Sequence, residues 1–433
     1  MKNQVHRRTF LKAASAIGAA TILPRRVWGA NDRIGIACVG LHGIGGMHLN
    51  QYLEMDDVNV VALCDVDRNV LDQAAQKVKG KPALEGDFRK VLERKDVDAV
   101  VVAAPDHWHA PIALKAFEAG KDAYVEKPLG HNIREGRLII EAAIERGRLM
   151  QTGLQQRSEP HWIHAVEMIK NGEIGKVHMV RMYNAWNRQE MRGDMGKPQD
   201  SESPEGVDYD MWLGPAPKRP YNKARFHDYW YFFWDYSGGM ISGWGVHLFD
   251  IVMWAMGPDI KSVGAVGGNY VLDDLRDTPD TSETIFDCPG YTLSYMVRQA
   301  SGWRPFGDMD HGIEFIGDKG VLQVNRRRFQ IFPEENRDSR IPSYTEARHD
   351  DGHGGVHTGY WLHKRNFLDC IRTREQPAAD PEVGHIASIP GHLANISYRL
   401  NRGVQWDSTQ ETIEGDEEAA KLLRRDYREP WVI

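Results

Sequence analysis

Three clusters in this chain combine reactive residue types with telling positions. Glu126-Lys127-Pro128 closes a strand-like run and leaves a lysine at its carboxyl end. Pro105-Asp106-His107-Trp108-His109 directly follows the run Ala99-Val100-Val101-Val102-Ala103-Ala104. Gly40-Leu41-His42-Gly43-Ile44-Gly45-Gly46 lies between the apolar run Arg33 to Val39 and a helical segment. Glycines let a backbone turn sharply and approach a pyrophosphate, which the free N–H groups and dipole of the next helix attract. Asp65, at the end of the following strand, stands about 20 residues on, where an acid meets the adenosine ribose. An acid there favours NAD over NADP, whose 2′-phosphate would meet like charge; Asp67 strengthens that preference and Arg68 weakens it.

These groups need a sheet that gathers strand ends. Strands Arg33 to Val39, Val58 to Leu63, Ala99 to Ala104 and the run closing at Glu126 alternate with helical patterns at Met47 to Met55, Asn69 to Lys79, Phe88 to Glu93 and Pro111 to Ala119. A helix Ile133 to Arg146 and a strand Leu149 to Thr152 complete a doubly wound half-sheet near residue 155. In such sheets ligands collect outside the carboxyl ends of the strands, so Lys127 and its histidine neighbours should face a cofactor or substrate. A chain of 433 residues implies a second domain and a site at the junction. Segments Val177 to Trp186, Ser262 to Gly268, Tyr291 to Gln299, His311 to Ile316 and Val321 to Val324 read as its strands, with Gly317-Asp318-Lys319-Gly320 as a hairpin turn.

A net charge of -7 gives no basic field for phosphate backbones, which argues against nucleic acid. Thirteen Trp and fifteen Tyr supply faces that stack on sugars or fill core. Cys38, Cys64, Cys288 and Cys370 show no metal spacing; a Cys38–Cys64 disulfide or buried free thiols are the alternatives. Arg7-Arg8-Thr9-Phe10-Leu11-Lys12, an apolar Ala13 to Leu23 run and Val27-Trp28-Gly29-Ala30 resemble a twin-arginine signal, removed near Ala30. That route carries folded, cofactor-loaded proteins through the twin-arginine translocon to the periplasm. The apolar run is too short to span a hydrocarbon core of about 30 Å, so no permanent membrane span is expected.

Gly40-x-x-Gly43-x-Gly45, Asp65, Pro105 to His109 and Glu126-Lys127-Pro128 resemble the Gfo/Idh/MocA family of glucose-fructose oxidoreductases and inositol dehydrogenases. Asp210 to Pro217, Gly238-Gly239-Met240, Gly245 to Asp250, Asn366 to Ile371 and Tyr427 to Trp431 are similar to its exported bacterial branch. The resemblance implies an α/β fold: an N-terminal Rossmann domain over 31–155 and, over 156–433, a C-terminal α/β domain with a large, mostly antiparallel open sheet. It also implies hydride transfer between a nicotinamide and a carbohydrate-like alcohol or ketone, and a homodimer or tetramer. Pro105, His109, Glu126 and Lys127 would then join Gly40, Gly43, Gly45 and Asp65 against NAD.

Oxidising a secondary alcohol requires a base for the hydroxyl proton, and the reverse step requires the same group as acid. Lys127 is the candidate. An ammonium beside a positive nicotinamide would fall from about 10.4 toward the roughly 7 to 8 range useful for proton transfer. His247, near the start of a helix reaching Met256, could orient the hydroxyl or relay the proton, or be a core histidine. His107, Trp108, Arg157, His227 and Trp230 are candidates for substrate contact; hydrogen-bonding structure, a salt bridge or an aromatic interface are the alternatives. His353 and His357 stand in a glycine-rich loop that could close over the site. No third ligand accompanies His107 and His109, so a metal is not expected. Two departures matter: the family's Asp-x-x-x-His has Gly243 in place of the aspartate, and His42 occupies a glycine-loop position. Three functions follow: an exported NAD-dependent carbohydrate oxidoreductase with a tightly held cofactor, a redox-neutral glycosidase or lyase working by transient sugar oxidation, and a non-catalytic sugar-binding relative.

Overall fold

The first strand, β1 (Ile34–Val39), is buried at every position, as expected of a strand covered by helices on both faces. The computed structural model describes residues 33–187, 193–304, 309–334, 344–345 and 358–433. The expected signal segment 1–30, His353 and His357 lie outside the described residues. With β2 (Val58–Cys64), β3 (Ala83–Glu85), β4 (Ala99–Val102), β5 (Asp122–Val125) and β6 (Met150–Thr152), β1 forms a six-stranded sheet in the order β3-β2-β1-β4-β5-β6. All its pairings are parallel. Alternate residues feed two cores: Ala37, Val39, Val100 and Val102 on one face, Ile36, Cys38, Ala99 and Val101 on the other. Strand order reverses between β1 and β4, which opens a crevice at their carboxyl ends.

The second sheet has ten strands: β7 (Val177–Ala185), β8 (Ser262–Gly268), β9 (Thr281–Cys288), β10 (Tyr291–Arg298), β11 (His311–Gly317), β12 (Gly320–Val324), β13 (Arg328–Pro333), β14 (Tyr344–Thr345), β15 (Val404–Asp407) and β16 (Thr412–Ile413). Their order is β14-β13-β12-β11-β7-β10-β9-β8-β15-β16. The β7–β10 pair is parallel, and the other pairs are antiparallel. Helices Pro160–Lys170, Gly245–Met256 and Pro381–Leu400 cover one face and close the largest core. On the other face Met179, Val266 and Ile285 are exposed.

Several helices start earlier than their apolar patterns suggest, at Ile44, His109, Gly245 and Thr358. The chain's end returns to the first sheet. Phe367 and Leu368, on the helix Thr358–Thr373, join the core around β1, and Trp431 packs edge-on against Trp108 with centroids 4.8 Å apart. All four cysteines are free and buried; burial raises the Cys38 thiol to about 12. Among the described residues no helix is long and apolar enough to cross a membrane, and no group of three His, Cys, Asp or Glu could hold a metal.

Candidate active site

The crevice at the strand-order reversal has a volume of about 850 Å³, part of it open to solvent. Gly40 has φ 82°, and a Cβ there would come within 2.7 Å of the Ala103 carbonyl. Gly45 passes so close to Gly40 O that a Cβ would lie 2.0 Å from it. Gly43 differs: a Cβ there meets nothing within 4 Å, because that side is open crevice. It also caps the helix Ile44–Leu53 without any side-chain hydrogen bond, leaving the helix N-terminus to an external acceptor.

Asp65 lines the same crevice and ties the loop to the sheet. Its carboxylate accepts the Leu41 N–H (2.8 Å) and the Asp67 N–H (3.0 Å). Burial raises its pKa despite those two bonds. His42 stacks on His227 with centroids 4.4 Å apart, and His227 Nε2 lies 2.9 Å from Asp67. The bulk of His42 is thus taken up in a stack at the rim. An uncapped helix, an open Gly43 and a carboxylate at the β2 end fit a dinucleotide, which the Gly40, Gly43 and Gly45 loop would hold at its pyrophosphate and Asp65 at its ribose.

At the end of β5 a second constellation forms around Lys127. The Lys127–Pro128 bond is cis, and His109 clamps this turn to the end of β4, placing Nδ1 2.7 Å from Pro128 O and Nε2 2.9 Å from Ala104 O. Glu126, buried beneath, lies 2.8 Å from His48 Nε2. Burial opposes its ionisation, but that bond and the charges of Lys127 and His109 outweigh it and hold Glu126 at about 2. Burial takes His48 down to about 4, so His48 is neutral and donates its N–H. Lys127 reaches across to the second domain, where Nζ donates to Gly243 O at 3.2 Å.

His247, one turn beyond Gly243, is 4 % exposed. Burial first, then the charges of Arg326, Lys127 and His311, hold its pKa well below the ordinary imidazole value. Its Nδ1 has no partner among the described residues. Gln156 Nε2 donates to its carbonyl and fixes that end of the helix. Trp244 packs edge-on to His247 and lies 4.6 Å from the His311 ring, while Arg326 covers the Trp244 face at 4.8 Å. His311 and Arg326, on β11 and just after β12, carried no spacing signal; only the sheet brings them here.

At Gly243 a Cβ would lie 2.5 Å from both Cζ and Oη of Tyr231. The space beside that backbone belongs to a tyrosine ring.

The candidates for substrate contact are placed elsewhere. His107 is fully buried, with Nε2 3.0 Å from Trp212 O, and Trp108 Nε1 donates to the same oxygen. These two anchor the Tyr209–Leu213 helix to the first domain, and Trp108 also lines the crevice. Arg157 Nε donates to buried Asp250 at 2.6 Å and its guanidinium lies over Trp254, a buried structural ion pair. His227 and Trp230 line the crevice that contains Asp65, on the dinucleotide side. Pro105 lines it too.

Residues 34–154 match the Gfo/Idh/MocA oxidoreductase family, NAD-binding Rossmann fold, and residues 174–269 with 361–433 match its C-terminal α/β domain. An inositol 2-dehydrogenase of Rubrobacter xylanophilus is 32% identical over 370 residues, 83% of this chain and 89% of that one. An α-N-acetylgalactosaminidase of Shewanella oneidensis is 28% identical over 207 residues, 40% of this chain and 45% of its own. The fold is shared with the WlbA dehydrogenase of Bordetella pertussis, solved with NADH and UDP-GlcNAcA, at a TM-score of 0.64 and 19% identity, over 87% of this chain and 99% of that one. Sequence and fold agree across both domains, and the chain belongs to the Gfo/Idh/MocA family of NAD-binding oxidoreductases.

Proposed function

We propose that this chain transfers hydride between NAD and a secondary alcohol or ketone of a cyclitol or sugar. One observation carries the reading: Lys127 from the first domain bonds to Gly243 O, one helical turn before the neutral His247 of the second. Bound NAD supplies the hydride acceptor. Lys127 takes the hydroxyl proton as the carbon is oxidised, and returns it in the reverse direction. His247, neutral and buried, orients the hydroxyl through Nδ1. The His48–Glu126 pair and the His109 clamp hold Lys127 at the strand end. The test is NADH formation with a panel of inositols and pyranoses. Lys127→Ala should lower turnover about 10²- to 10⁴-fold while NAD affinity is kept; an unchanged rate would refute the assignment.

The likeness to an N-acetylgalactosaminidase favours a second reading, in which the sugar is oxidised transiently, a substituent is eliminated and hydride returns to the substrate. Glycoside cleavage with no net NADH distinguishes it. Gly243 motivates a third, binding without turnover, for which Lys127→Ala would leave substrate affinity intact. We also propose twin-arginine export through Arg7-Arg8, with removal near Ala30 and a cofactor retained on purification without added nucleotide. Mass spectrometry of small molecules released on denaturation, and N-terminal sequencing of the exported protein, test these points. The exposed Met179, Val266 and Ile285 on the outer face of the second sheet support pairing with a second copy of the chain.

A further inference from the structure

Beside Trp244 and His247 stands an arginine whose hydrogen-bond partners are neutral. Arg326 leaves the turn after β12 and lays its guanidinium on the Trp244 face, 4.8 Å from the ring centroid. Its Nε donates to Gln156 Oε1 at 3.2 Å, and Gln155, with its amide in the hydrogen-bonding orientation, accepts from Nη2 at 3.1 Å. Both partners are neutral. Among the described residues Arg326 has no carboxylate partner. Acids of this region have other partners: Asp310 faces His311 Nδ1 and accepts from Trp186 Nε1, each at 2.6 Å, Glu126 holds His48, and Glu159 lies 3.9 Å from His161 Nδ1. Gly243 contributes no side chain. Asp310 fixes His311 with Nδ1–H toward the carboxylate, so Nε2, 2 % exposed with its residue and without a partner among the described residues, is left as an acceptor.

We propose that the substrate is a polyhydroxy carboxylate, a sugar acid rather than a neutral sugar: its carboxylate pairs with Arg326 and one of its hydroxyls donates to His311 Nε2, while the alcohol to be oxidised lies at Lys127 and His247. This rests on the oxidoreductase reading and names its substrate class. A guanidinium offers paired donors matched to a carboxylate, and a neutral polyol in its place leaves a partly desolvated charge unpaired. Trp244 supplies the flat face that sets the plane of the fork. His311 then discriminates by hydroxyl position rather than by charge.

The test is titration calorimetry on the full chain loaded with NADH, comparing glucuronate, galacturonate and gluconate with glucose, galactose and sorbitol. The acids should bind about tenfold to a hundredfold more tightly than their neutral counterparts. Arg326→Gln should bring that ratio close to one while NADH affinity stays unchanged, with a cooperative thermal transition, lowered by the lost Gln155, Gln156 and Trp244 contacts, showing that the variant is folded. His311→Asn should weaken the acids without abolishing the ratio. Equal or weaker binding of the acids, binding of neither class, or a ratio that survives Arg326→Gln would overturn the proposal. Hydride transfer from neutral polyols alone would remove this substrate class and leave the oxidoreductase reading standing; Arg326-dependent binding of acids with no NADH formed from any substrate would do the reverse.

Discussion

Gly243 and Tyr231 should be energetically coupled. A Cβ at 243 would sit 2.5 to 2.6 Å from Cζ, Oη and Cε2 of Tyr231, roughly 1 Å inside ordinary contact. The ring cannot retreat freely, being buried between Trp230 and Phe232, whose centroids lie 5.7 and 5.5 Å away. Overpacking of this kind costs about 1 to 3 kcal/mol. Alanine in place of a helical glycine offsets about 1 kcal/mol of that, so Gly243→Ala alone gives a small net change and decides little. The double-mutant cycle with Tyr231→Ala decides more, because helix propensity cancels between its two arms. Tyr231→Ala costs about 3 to 5 kcal/mol by leaving a cavity, and in that background Gly243→Ala meets no ring and becomes neutral or stabilising. The expected coupling is about 1 to 3 kcal/mol, read from urea unfolding followed by tryptophan fluorescence. Additivity within about 0.5 kcal/mol would refute the claim that the tyrosine ring dictates a glycine here.

Asp65→Ser should raise the ratio of NADP to NAD turnover at least about tenfold by removing like charge from the 2′-phosphate seat, and should lower NAD affinity because the Leu41 and Asp67 N–H groups lose their acceptor; an unchanged ratio argues against Asp65 at the ribose. Burial places His48, His363 and His392 at about 4 in the folded chain, below the ordinary 6.5. The unfolded chain therefore binds more protons between about pH 6.5 and 4, so stability is complete above that window and falls as pH drops through it. One such shift is worth on the order of 3 kcal/mol, and a urea midpoint that stays flat from pH 7 to 4.5 would contradict it. Ile285→Lys, on the exposed face of β9, should shift the sedimenting species toward the 49.2 kDa chain; a wild type already sedimenting as a monomer removes that interface.

The dinucleotide half was legible because its signals are local. A strand, a glycine loop and an acid at the end of the next strand follow one another in the chain, and the parallel sheet turns that order into the floor of a crevice, which Trp212, His227 and Trp230 of the second half wall in. The second half obeys long-range packing. The helix Pro381–Leu400 contains Gly384, Pro390 and Gly391, residues that punctuate a sequence pattern, yet a Cβ at 384 would lie 2.0 Å from Thr152 Oγ1 and one at 391 would lie 2.7 Å from Ser242 Cα. The small residues are there for close approach. His107 and Trp108 have the chemistry of site residues and sit beside a strand end, but the Tyr209–Leu213 segment folds over them and uses their ring N–H groups as anchors. Arg326 and His311 look like ordinary sheet residues until β11, β12 and the helix Gly245–Met256 bring them to one tryptophan. Gly243 shows the same limit from the opposite side. Read along the chain it is a lost carboxylate; in the fold, the ring of Tyr231 claims the volume that a side chain would need, and Lys127 binds the backbone carbonyl that remains.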